Sequence, residues 1–116
     1  MAQDFRRYML QGVGTVAADI PDGGNFDSYD TLVGIHLTNI LTNAITVDVY
    51  IQHTINGTPT NHYLIRGAPI SAGGALQLLD GGAKIVVQTG DRLWVKSDTA
   101  SSLDVWVSAV DAIRSN

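Results

Sequence analysis

The chain contains no cysteine, and all 11 of its acidic residues are aspartates, so glutamate is missing as well. Without thiols there is no disulfide crosslink, no thiolate metal site and no cysteine nucleophile. Glutamate favours helices whereas aspartate favours turns and loop starts, so the one-sided acidic set points away from helix and toward a loop-rich β chain. Positive charge is also scarce. Seven Lys plus Arg against 11 Asp leave a net charge of −4, which argues against a protein that tracks nucleic-acid phosphates. No apolar run approaches the roughly 18 residues of a spanning helix, so no membrane partner is expected. The Arg6-Arg7 pair is followed by only Tyr8, Met9 and Leu10 before Gln11 and Gly12. That is shorter than the apolar core of a signal peptide, about 7–15 residues. Synthesis and use in a cytoplasm, or in a particle assembled there, is the expectation.

What the chain does contain is alternation. Val33, Ile35 and Leu37 alternate with Gly34, His36 and Thr38, and Ile45, Val47, Val49 and Ile51 with Thr46, Asp48, Tyr50 and Gln52. The same period of two runs through Leu76 and Leu78, Ile85 and Val87, Leu93 and Val95, and Leu103, Val105 and Val107. Such alternation marks strands with one face buried. Asn56-Gly57 is a strong hairpin signal, because both residues tolerate positive φ. Gly73-Gly74, Asp80-Gly81-Gly82, Gly90-Asp91 and the segment from Ser97 to Ser102 mark further turns, and the short link from Asn39 to Asn43 suggests another hairpin. Residues 1–10 read as an arm or first edge strand, Gly12 to Ala18 as a strand, and Asp19 to Asp30, with Pro21, Gly23 and Gly24, as a long surface loop. The fold class is therefore all-β: a single-domain antiparallel β-sandwich, jelly-roll-like, of about eight strands over residues 11–116, preceded by the N-terminal arm. At 116 residues one such domain buries a sufficient core without metal or crosslinks.

Chemistry is sparse on this scaffold. His36, His53 and His62 are the only groups suited to general-base work near neutral pH, and no pair of them has a recognised ligand spacing. Asp19, Asp22, Asp27 and Asp30, with Asn25, could wrap a calcium ion, but their spacing is not that of an EF-hand and turn formation accounts for them. No nucleophile elbow and no phosphate-binding glycine loop is present. The expectation is a protein that is not an enzyme, with no catalytic residue, no metal and no cofactor.

Parity yields the sharper signal. If Leu93, Val95, Leu103, Val105 and Val107 face the core, Trp94 and Trp106 face outward, as does Tyr50 opposite Val47 to Ile51. Large outward aromatics suit an interface, where they bury much area and keep a polar tip satisfied. Tyr50, Trp94 and Trp106 are thus candidate contact residues. Cover by the N-terminal segment or the long loop is the intramolecular alternative, and a sugar-stacking platform is a third.

From Ile45 onward the chain resembles a family of small virion structural proteins of tailed bacteriophages, many from cyanophages and other aquatic phages. The residues that carry the resemblance are Val47-Asp48-Val49-Tyr50-Ile51, Tyr63-Leu64-Ile65-Arg66-Gly67-Ala68-Pro69-Ile70, Gly73-Gly74-Ala75-Leu76, Lys84-Ile85-Val86-Val87, Gly90-Asp91-Arg92-Leu93-Trp94-Val95 and Ser101-Ser102-Leu103-Asp104-Val105. They span about the last two thirds of the chain and are turn glycines and core positions, so no catalytic residue is carried over. The resemblance implies a particle component, either a capsid decoration (cement) protein that binds between major capsid subunits or a tail or baseplate adaptor; a carbohydrate-binding host-recognition module is a further alternative. The expected partners are the major capsid protein and other copies of the chain, most simply as a trimer, with Phe5, Arg6, Arg7 and Tyr8 reaching onto the capsid.

Overall fold

The computed structural model describes residues 2–20, 30–79, 84–88 and 90–113. Among them are nine strands: β1 (Ala2–Val13), β2 (Ala18–Ile20), β3 (Asp30–Asn39), β4 (Ile45–Ile55), β5 (Thr58–Ile70), β6 (Ala75–Leu79), β7 (Ile85–Val86), β8 (Arg92–Ser97) and β9 (Leu103–Ile113). They form two antiparallel sheets. A five-stranded sheet has the order β1-β9-β3-β6, with β7 also on β3, and a four-stranded sheet has the order β2-β8-β4-β5. With the two-residue β7 set aside, the first strand pairs with the last, the last with the third and the third with the sixth, which is the double Greek key of a jelly roll.

The core follows from the alternation. Ile35, Leu37, Val105 and Val107 from one sheet and Val47, Val49, Leu93 and Val95 from the other are at most 2% exposed, and they meet between the sheets as the inner faces of a sandwich must. One position departs from simple parity. Leu32, not Val33, is fully buried, because the β3–β9 register slips between Leu32 and Gly34. A bulge adds one residue to a strand and reverses which face the next side chain meets.

Residues 2–13 form one continuous strand on the sheet edge, in register with β9 from Ala2↔Ile113 onward. The boundary expected at residue 10 falls inside it, and the strand expected from Gly12 to Ala18 is instead the end of β1, a turn and the start of β2. The hairpin expected at Asn39 to Asn43 is also not one. β3 and β4 lie in different sheets, so residues 40–44 arch across the sandwich. Three other links, β1 to β2, β5 to β6 and β8 to β9, cross in the same way. All four gather at one end, tied by Ile40 N–H to Ser102 O (3.0 Å), Gly73 N–H to Leu41 O (3.1 Å), Ser102 N–H to Val13 O (3.1 Å) and Ser97 N–H to Gly14 O (3.0 Å).

The fully buried Asn39 is the knot of that end. Its Nδ2 lies 2.8 Å from Asn43 O and 3.1 Å from both Ile70 O and Ser71 O, while its Oδ1 accepts the Leu41 N–H at 2.9 Å. Arched backbone cannot use ladder hydrogen bonds, and buried carbonyls need donors, so one amide serves two crossings. Exposed Asp98 braces the same end: its Oδ1 accepts the Thr46 N–H (3.1 Å), and that bond is the main reason its carboxyl sits below its ordinary range.

Asn56-Gly57 does make the expected hairpin, joining β4 to β5 with φ of 51° and 80° and the closing pair Ile55↔Thr58. Apart from its chain neighbours, no atom of the described residues lies within 4 Å of where a Cβ on Gly57 would stand, so the cost of Gly57→Ala is conformational alone. A loss of about 1 kcal/mol or more is expected, read as a lower urea midpoint at unchanged slope. An unchanged midpoint would show that the turn reaches its geometry without a glycine.

Candidate functional site

The outer face of the four-stranded sheet carries an aromatic ladder built by register. Trp94 on β8 is directly opposite Tyr50 on β4, and Tyr50 is opposite Tyr63 on β5. Because Leu93, Val95 and Val49 point inward, Trp94 and Tyr50 are forced outward, and the β4–β5 register sets Tyr63 beside them in one row. Tyr50 and Trp94 stack with centroids 6.4 Å apart and planes 12° from parallel, and Tyr50 meets Tyr63 at 5.0 Å and 45°. An arginine stands over each end: Arg92 lies 5.6 Å from the Trp94 ring and Arg66 5.0 Å from the Tyr63 ring, both within cation–π range. Asp19, the β2 partner of Trp94 in register, holds Arg92 in place through a 3.0 Å ion pair.

Burial pushes the Tyr50 hydroxyl above its ordinary pKa, and the neighbouring Tyr63 and Asp48 push it the same way. Tyr50 therefore stays a neutral hydrogen-bonding group throughout the physiological range. Tyr63 is 44% exposed and forms the open end of the ladder. The Trp94 indole N–H is buried without a hydrogen-bond partner among the described residues. Such a surface is amphipathic, with apolar ring area, fixed cations and hydroxyl tips.

Trp106 does not join this row. It lies on β9 of the five-stranded sheet, so the three aromatics proposed from parity divide between opposite outer faces. Trp106 is 46% exposed, flanked in register by Met9 and His36, with the Arg7 guanidinium 5.6 Å from its ring. Of the residues expected to form an arm, Arg6 and Arg7 are exposed, Tyr8 is half-buried against the core, and the Phe5 side chain lies outside the described residues.

His36 lies on one sheet, while His53 and His62 are diagonal neighbours on the paired strands β4 and β5 of the other. His36 Nδ1 meets Gln77 Oε1 at 2.6 Å, His62 is exposed on β5, and His53 Nδ1 meets Asp91 Oδ1 at 2.9 Å. Asp91 also accepts the Gln88 N–H (2.9 Å), which makes the His53–Asp91 pair a brace for the turn into β8. No group of three or more potential metal ligands occurs among the described residues. Of the aspartates considered for calcium, Asp19 is paired with Arg92 and Asp30 is buried at the start of β3. Asp22, Asp27 and Asn25 lie outside the described residues.

Sequence reasoning missed Tyr63, Arg66 and Arg92. The register of β4 against β5 slips on both sides of Val49, so parity carried from one strand could not place Tyr63 beside Tyr50. The bulge is held where Asp48 Oδ1 accepts the Gly67 N–H at 2.7 Å with Gly67 at φ 65°. A glycine two residues before Pro69 was the available signal.

No protein-family model matches the chain, and no curated protein matches it. Solved structures with a similar course of chain include Bacillus endospore appendages, which form disulfide-linked pili (16% identity, 97% of this chain and 88% of that one, TM-score 0.47). The Drosophila NLP core, a pentamer-forming histone-binding protein, is similar over 98% of this chain and 100% of that one (13% identity, TM-score 0.47). The VP2 subviral particle of infectious bursal disease virus is similar over 97% of this chain and 38% of VP2 (12% identity, TM-score 0.41). At these identities and scores the similarities carry no argument about activity.

Proposed function

We propose that the chain is a structural component of a virus particle, a phage capsid decoration protein that binds between major capsid subunits through the outer face of its four-stranded sheet. The observation that carries this reading is the row Trp94–Tyr50–Tyr63, a rigid aromatic strip on a scaffold with no catalytic constellation among the described residues. The resemblance of residues 45–105 to phage virion proteins supports it. Mechanism is mass action: a protein that binds the assembled shell and not its separated subunits lowers the free energy of the assembled state. Tyr50, Tyr63 and Trp94 supply ring area at the contact, Arg66 and Arg92 hold the rings, and Arg6 and Arg7 of β1 are a second contact on the capsid. A closed trimer of the chain fits the three-fold positions of a particle lattice.

Particles that lack the protein are expected to assemble normally and to rupture at lower temperature. Tyr63→Ala, at an exposed position that leaves the core untouched, should weaken binding to the shell by about 30-fold, the equivalent of about 2 kcal/mol at an interface hot spot. Light scattering of the isolated protein should give a mass well above 12.4 kDa, and a monomer at tens of micromolar would reject intrinsic self-association. Particles without the protein that keep normal head stability but fail in tail attachment would overturn the decoration reading in favour of a tail adaptor.

A further inference from the structure

The opposite outer face holds a different arrangement. On the five-stranded sheet one row runs Met9–Trp106–His36–Gln77 by direct cross-strand register. The row on one side of it contains Arg7, Ser108 and Gly34, and Arg7 caps the indole from there. The row on the other side, toward the crossing end, contains Asp104 opposite Thr38, with Gln11 in the bulge of β1. These side chains are much shorter than an indole, so Trp106 stands as a wall beside a low floor. The resulting groove has a volume of about 520 Å³ and is lined by Met9, Gln11, His36, Thr38, Asp104 and Trp106, within the roughly 300–1,000 Å³ of small-ligand sites.

The lining decides the class of occupant. Its apolar lining is the Trp106 indole and the Met9 thioether, with Leu10 and Val105 beside them. Around them stand an amide, a hydroxyl, an imidazole and a carboxylate. Two of these are fixed: His36 by Gln77 (2.6 Å), which leaves Nε2 as its remaining hydrogen-bonding atom, and Asp104 by the Gly12 N–H (3.0 Å). An aliphatic side chain laid here would bury those polar groups without partners. A nucleotide would bring its phosphate toward Asp104 on a chain of net charge −4, the reverse of a phosphate-binding field. A pyranose has what the groove asks for: a C–H face that packs against an aromatic ring, and hydroxyls around its edge that both donate and accept.

We propose that the Trp106 groove is a binding site for a neutral pyranose sugar, with the ring stacked on Trp106 and its hydroxyls bonded by Asp104, His36, Gln11 and Thr38. Asp104 selects against acidic sugars. The site is separate from the ladder contact, since it lies on the other sheet and uses none of the ladder residues, and it would give a surface-bound subunit a means of holding glycans.

The test is binding of the full chain to immobilised glycans ending in glucose, galactose, mannose, N-acetylglucosamine or sialic acid. Binding to at least one of the neutral sugars and not to sialylated glycans is expected. Trp106→Ala should weaken that binding by about tenfold or more, with Trp106→Phe intermediate. Thr38→Arg, which fills the floor and keeps the indole, should abolish it. In a Trp94→Phe background, where Trp106 is the only fluorophore of its kind, the bound free sugar should shift the tryptophan emission, a readout that mere loss of fold would not reproduce. No binding to any neutral glycan, or equal binding by wild type and Trp106→Ala, would overturn the proposal. Neither result bears on binding to the shell, which Tyr63→Ala reports, so each reading fails on its own experiment.

Discussion

Asn39→Asp should be severely destabilised at neutral pH and partly restored in acid. The substitution replaces an amide nitrogen that faces three carbonyl oxygens at 2.8–3.1 Å with a carboxylate oxygen in a site that is fully buried. A buried uncompensated charge commonly costs about 3–5 kcal/mol, a large part of the roughly 5–15 kcal/mol that holds a domain folded. The sign with pH follows from burial. The introduced carboxyl would have a folded-state pKa above its unfolded value of about 3.9, because the folded site favours the neutral acid, which can also donate to one of the carbonyls. Its stability contribution is therefore retained below about pH 4 and lost as pH rises through the folded-state pKa. Urea unfolding of variant and wild type at acid and neutral pH measures the difference. A gap that does not widen with pH would show that solvent reaches position 39.

A second large effect separates two adjacent residues. Leu32→Ala should cost about 2–5 kcal/mol, as for other buried leucines. Val33 is only half-buried, so Val33→Ala should cost under about 1 kcal/mol. Strict alternation assigns the reverse order, since Val33 has the phase of Ile35 and Leu37. Equal unfolding midpoints for the two variants, or a larger loss for Val33→Ala, would remove the bulge at Gly34.

That pair shows where the sequence was legible and where it was not. Period-two runs located β4, β6, β8 and β9 and the inward phase of Leu93, Val95, Leu103, Val105 and Val107, because burial of one sheet face dictates them locally. Asn56-Gly57 was readable because positive φ is a property of the residues themselves. Bulges and arches are not local in that sense. Whether residues 40–44 turn back within one sheet or cross to the other depends on where β4 finds its partners, and β8 and β5 lie later in the chain. The candidate surface was legible to the same degree. Outward rings at Tyr50, Trp94 and Trp106 followed from parity, but their division between two faces follows from which sheet β8 and β9 join, and the arginines over Trp94 and Tyr63 follow from register.

The place of β9 has a consequence for how the chain reaches this structure. β9 lies between β1 and β3, pairing with residues as early as Ala2 and with Asp30, yet a ribosome makes it after both. Until residues 103–113 emerge, β1 and β3 have no common partner, and each presents an open edge on which another chain could pair. Closing loops of this length before the contacts form is slow, in the milliseconds-to-seconds range typical of all-β domains. The five-stranded sheet therefore cannot close before residues 103–113 have been made, and a nascent or truncated chain that ends before Leu103 is a candidate for aggregation rather than a smaller version of the domain.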